Sequence, residues 1–125
     1  MTQDAAHIVL VDDDPLTLRL VSAMLARPSW SVEQALSAEA ALPLLLETPP
    51  DLLITDLKMP GIGGVGLLNE VLRLQIVRPE RILVITGEPP AGTDRKWVAD
   101  RGISVLAKPF RRDQLLQTIA SLLAR

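Results

Sequence analysis

Three short stretches of the chain are almost unbroken in apolar residues: HIVLV at 7–11, LLIT at 52–55 and RILVIT at 81–86. A strand with water on one face alternates apolar and polar side chains. A strand buried on both faces does not, and such strands belong to parallel sheets covered by helices. Two further runs, SVEQAL at 31–36 and ISVLA at 103–107, bring the set to five. SVEQAL is the more polar and reads as an edge strand.

The segments between the runs carry helical signals. Asp14-Pro15 joins an N-cap acid to a proline at the first helical position, and Leu18, Val21 and Leu25 then recur at helical spacing. Ser37 caps a second helix through Leu46, in which Pro43 is expected to kink or shorten the helix. A third runs from about Val65 to Leu74, with Leu67, Leu68, Val71 and Leu72 as its apolar face. A fourth, about Asp94 to Arg101, is short. The last, about Arg112 to Ala124, aligns Leu115, Leu116, Ile119, Leu122 and Leu123. Strand and helix alternate five times, and right-handed crossovers make this a doubly wound (βα)5 α/β sandwich around a five-stranded parallel sheet.

Composition fits such a core. At 125 residues and 48% apolar, the chain is long enough for one domain and too apolar for disorder. Two Trp, one Phe and no Tyr leave the core to Leu, Val, Ile and Ala. A net charge of -2 argues against nucleic-acid binding by the domain itself. The absence of cysteine excludes disulfides and thiolate metal sites and fits a reducing cytoplasm. MTQDAAH at the start lacks the basic segment and apolar core of a signal peptide. No apolar run approaches the ~20 residues of a membrane span. Residues 1–125 are expected to form a single domain without an output domain.

In open α/β sheets, ligands sit beyond the carboxyl ends of the strands. Asp12, Asp13 and Asp14 follow the first run, Asp56 the third, and Lys108-Pro109 the fifth; Thr86 ends the fourth, with Gly87 next. Each has an ordinary reading when taken alone. The acidic triplet is then a solvated turn and helix cap, and Asp56 a turn residue before Pro60-Gly61. Thr86 is a strand end and Lys108 a solvated side chain. Their joint placement at one sheet edge decides for a site. His7, Trp30, Trp97 and Arg111-Arg112 read as structural or surface residues.

LVDDDP, DLLITDLKMPG, VITG and AKPF, in this order and spacing, resemble the receiver domain of two-component response regulators over essentially the whole chain. The resemblance implies the flavodoxin-like strand order 2-1-3-4-5. It makes Asp56 a nucleophile that takes a phosphoryl group from a phosphohistidine and becomes an acyl phosphate. It implies Mg²⁺, held directly by Asp13 and Asp56, mostly through water by Asp12, and by the backbone carbonyl of Lys58. Thr86 would donate its hydroxyl to a phosphoryl oxygen, and Lys108 would pair with another. Gly87 would leave room for attacking groups, and the Lys108–Pro109 bond would be cis. The implied partners are a sensor histidine kinase or phosphotransfer protein and a downstream protein or fused output domain. The domain would act in the cytoplasm, with no direct nucleic acid or membrane contact. It would catalyse its own modification but turn over no metabolite.

Three departures from the family pattern stand out. Val105 occupies a position where many receivers carry a Tyr or Phe that turns inward on phosphorylation. Ile62-Gly63-Gly64 replaces the frequent Met-Asp-Gly, and the glycines at 61, 63, 64 and 66 are expected to loosen the start of the third helix. GEPPAG before the fourth helix is rich in Pro and Gly. Two other readings remain open. One is a pseudo-receiver that acts only as a protein-interaction module, for which the missing aromatic speaks. The other is a phosphatase of the haloacid dehalogenase type with Asp12 as nucleophile, whose motif fails here at Leu16.

Overall fold

The apolar runs all form strands: β1 (Ala6–Val11), β2 (Trp30–Ala35), β3 (Leu52–Thr55), β4 (Ile82–Thr86) and β5 (Ser104–Ala107). The structure, a computed structural model, describes residues 5–87 and 92–125. GEPPAG falls largely on residues 88–91, outside the described ones. The sheet is parallel in the order β2-β1-β3-β4-β5, as the resemblance implies.

Successive residues of the central strands feed opposite cores, as strand geometry requires. Val9, Val11, Leu53, Ile82 and Val84 pack beneath α2 (Ala38–Glu47), α3 (Gly63–Arg73) and α4 (Gly92–Asp100). Ile8, Leu10, Leu52, Ile54, Leu83 and Ile85 pack beneath α1 (Pro15–Met24) and α5 (Arg112–Leu123). Both faces are therefore covered, which explains why these strands are written as continuous apolar runs. Each fully buried Leu or Ile adds about 1.5–3 kcal/mol relative to exposure.

The helix starts follow their sequence signals. The Asp14 carboxylate accepts from the Leu16 amide at 3.1 Å and from the Thr17 hydroxyl at 2.8 Å. Ser37 Oγ accepts from the Ala40 amide at 3.0 Å. Pro43 does not shorten α2, which continues to Glu47. Its ring is exposed, while Ala38, Ala41 and Leu45 are fully buried on the other side and hold the helix through the lost hydrogen bond. Helix α3 begins two residues before Val65 and α4 two before Asp94. A 3-10 turn at Pro79–Arg81, absent from the sequence reading, leads into β4. Among the described residues, no helix is long and apolar enough to cross a membrane.

Candidate functional site

Strand register assembles the site. Val11 lies opposite Thr55 across the β1–β3 ladder, so the next residues, Asp12 and Asp56, emerge side by side. Thr86 lies opposite Ala107 across β4–β5, which brings Lys108 out next to Thr86. The Asp56 amide donates to Val11 O at 3.2 Å and the Lys108 amide to Thr86 O at 2.8 Å, so the ladder hydrogen bonds extend to the carboxyl edge of the sheet.

Lys108 Nζ stands 3.3 Å from Asp12 Oδ2 and 3.8 Å from Asp56 Oδ2. One ammonium therefore serves two buried carboxylates. Burial raises the Asp12 carboxyl above its ordinary value, and the neighbouring Asp56 charge adds to the rise. The Asp14 amide, at 2.9 Å from Asp12 Oδ1, and Lys108 oppose it. Asp56 Oδ1 accepts from the Lys58 amide at 3.1 Å, which leaves Oδ2 on the Lys108 side. The Asp56 side chain is 13% exposed, so a reactant can reach it. Asp13 and Gly87 are exposed and Thr86 is buried at the end of β4.

The donor set suits a hard divalent cation. Carboxylate and carbonyl oxygens are its ligand type, and Mg²⁺ uses one or two carboxylates and keeps several waters. Asp12 and Asp56 supply two carboxylates against one ammonium, a local excess of negative charge. Among the described residues, no three His, Cys, Asp or Glu side chains are gathered into a ready cage. Asp12, Asp56 and Lys108 are thus brought together, whereas Asp13 joins them only through its place on the same turn.

Two contributors carry no local signal in the sequence. Gly64 is buried against the Asp56 backbone: a Cβ there would lie 2.0 Å from Asp56 O and 2.5 Å from Leu57 Cα. Its amide donates to Leu57 O at 3.1 Å. The glycine lets the start of α3 close onto the peptide that carries Asp56. Thr55 Oγ1, also buried, donates to the same Asp56 carbonyl at 2.9 Å. The Lys108–Pro109 bond is cis, as expected. His7 Nε2 stands 3.1 Å from Glu33 Oε1 at the opposite end of the sheet. Trp30 is buried, and Trp97 stacks under the Arg101 guanidinium at 4.1 Å. None of these three belongs to the site.

The model of the response regulator receiver domain matches residues 8–120. The transcriptional regulatory protein GlrR of Escherichia coli (strain K12) is 36% identical over 120 residues, which are 95% of this chain and 26% of that protein. The chain thus spans about a quarter of the length of that relative. The chemotaxis protein CheY4 of Vibrio cholerae superposes with a TM-score of 0.81 at 27% identity, over 94% of this chain and 98% of that one. The receiver domain of the sensor histidine kinase PA1611 of Pseudomonas aeruginosa PAO1, solved with a magnesium ion in its active-site cleft, shares the fold. Its TM-score is 0.84 at 24% identity, over 97% of this chain and 99% of that one. Receiver domains are signalling domains of two-component systems rather than metabolic enzymes, and this chain belongs to the response regulator receiver domain family.

Proposed function

We propose that Asp56 accepts a phosphoryl group from a phosphohistidine on a sensor histidine kinase or phosphotransfer protein. The observation that carries this reading is Lys108 Nζ lying between Asp12 Oδ2 and Asp56 Oδ2 at a sheet edge. Asp56 Oδ2 attacks phosphorus as the P–N bond breaks, and the electron pair leaves with the imidazole. The Lys58 amide holds Oδ1 and so fixes the face that Oδ2 presents. Lys108 offers its charge to a phosphoryl oxygen in place of the carboxylates it now serves. Thr86 offers a hydroxyl to another. Asp12, Asp13, Asp56 and the Lys58 carbonyl would hold Mg²⁺, which offsets negative charge on the transferring group.

The acyl phosphate adds about -1.5 to -2 charge units beside Thr86 and Lys108. That change biases the surface formed by β4, α4 and β5 toward a second arrangement, read by a downstream protein or a fused output domain. The reading places the domain in the cytoplasm, with no nucleic acid or membrane contact of its own. Incubation with a phosphodonor and Mg²⁺ tests it. The label should map to Asp56, be lost on treatment with hydroxylamine, and be absent from Asp56→Asn. Undiminished labelling of Asp56→Asn refutes the assignment, and label on Asp12 would transfer the role to that residue.

A further inference from the structure

Helix α3 begins without a cap of its own. Its N-cap residue is Ile62, which has no hydrogen-bonding side chain. The backbone there is already helical, φ -69 and ψ -16, rather than the extended form in which a cap side chain reaches forward. An uncapped N-terminus leaves amides without partners. The Ile62 amide nevertheless has one. It donates to Glu39 Oε2 at 3.2 Å, across 23 residues of sequence.

Glu39 sits in the first turn of α2. Its carboxylate therefore lies at the positive ends of two helices, its own and α3. Gly61 makes the approach possible. A Cβ at that position would sit 2.5 Å from Glu39 Oε2, and φ is +77, in the region that favours glycine. Three hydrogen bonds thus tie down the segment from Leu57 to Gly64. The Lys58 amide binds Asp56 Oδ1, the Gly64 amide binds Leu57 O, and the Ile62 amide binds Glu39. The first two lie at the Asp56 end. Glu39 supplies the far anchor, from another element.

We infer that Glu39 is a positioning residue: it caps α3 from α2 and so holds the Lys58 amide, and through it the Asp56 carboxylate, in the attacking orientation. The inference rests on the reading of Asp56 as phosphoacceptor. It predicts a rate effect larger than the stability effect, because the contact is at the surface and its mechanical load falls on the loop.

The test compares the full chain with Glu39→Ala and Glu39→Gln. Three quantities are read: labelling of Asp56 by acetyl phosphate with Mg²⁺, hydrogen exchange of the Lys58 and Ile62 amides, and the unfolding midpoint. In Glu39→Ala, both amides should exchange faster and labelling should slow about two- to fivefold, the range of a helix-end charge contact. The midpoint should barely move. Glu39→Gln keeps an acceptor but not the charge and should recover part of the lost protection and rate. Wild-type labelling and exchange in Glu39→Ala overturn the inference. So does a loss of rate that merely follows a fall in the unfolding midpoint. If the wild-type chain takes no label, the phosphoacceptor reading fails, and amide exchange at Lys58 and Ile62 alone decides for or against the anchor.

Discussion

Lys108 and Asp12, 96 residues apart in sequence, meet with Nζ 3.3 Å from Oδ2. The contact closes the site from the β5 side and neutralises one of two carboxylates that the β1–β3 register forces together. Removal of the ammonium in Lys108→Ala leaves both charges facing one another. The Lys108 side chain is 28% exposed, so water screens part of the loss, and the expected destabilisation is about 1–2 kcal/mol. Urea unfolding in metal-free buffer measures it. The variant should still accept phosphate at a reduced level but fail to pass the change to its partners.

Asp12 gives the metal-free protein a distinctive pH response. Its carboxyl is raised, chiefly by burial, so the folded state keeps a proton at pH values where the unfolded chain has released it. Stability from this group is full below the ordinary carboxylate value and falls as pH rises through the raised folded value. Asp12→Asn removes the buried charge. It should therefore stabilise the metal-free protein at neutral pH and flatten this part of the profile. Asp14 has the opposite sign. The Thr17 hydroxyl and the Leu16 amide lower its carboxyl, so its contribution is present above the ordinary value and lost as pH falls through the depressed one. Unfolding midpoints across the acid range, for wild type and Asp12→Asn, separate the two.

Gly64→Ala should damage both the fold and the chemistry. The new methyl group meets backbone atoms, Asp56 O and Leu57 Cα, which cannot swing aside as a side chain can. Overpacking of this kind costs about 1–3 kcal/mol. The relief available is a retreat of α3 from the Asp56 peptide, which loosens the Gly64-to-Leu57 hydrogen bond. Chemical denaturation reads the first effect, and the rate of Asp56 labelling reads the second.

Thr86→Ala should separate modification from response. Val105 is 39% exposed on β5, and a valine offers no ring to bury when the state changes. A hydrogen bond from Thr86 to a phosphoryl oxygen would supply ~1.5–3 kcal/mol, a ten- to hundredfold bias. That is short of the ~5.5 kcal/mol that a full reversal from 1:99 to 99:1 requires. Amide-resolved NMR with and without a phosphate mimic should show the largest shifts outside the pocket from Thr86 through α4. In Thr86→Ala these shifts should vanish while Asp56 remains phosphorylatable. Shifts centred on α1 and α2 instead would refute the route.

The strands and the members of the site that follow them were legible because both depend on local sequence. A continuous apolar run marks a doubly covered strand, and the residue after it must lie at the sheet edge. That rule places Asp12, Asp56 and Lys108 at one edge, and Thr86, the last residue of its run, beside them. Gly64 and Glu39 escape it. Their roles depend on what stands opposite in space, the Asp56 carbonyl in one case and the Ile62 amide in the other, and neither residue type announces such a partner. Pro43 does not shorten α2 for a related reason: helix propensity is local, whereas the burial of Ala38, Ala41 and Leu45 that outweighs it is not.

The β1–β3 ladder gives the candidate site an all-or-none character. Val11 faces Thr55, and side chains alternate between faces along each strand. A slip by one residue would send Ile8 and Leu10 into the core that Val9 and Val11 fill, and Val9 and Val11 into theirs. The smallest slip that preserves the cores is two residues, about 6.6 Å along the strand. No side-chain adjustment at Lys108 spans such a step while still serving both carboxylates. Strand register therefore offers the site no gradual misalignment, whereas the loop from Lys58 to Ile62 can loosen by degrees. Variants of β1 and β3 should fall into two populations, those with native geometry at Asp56 and those that do not fold, with few slow but folded intermediates between them.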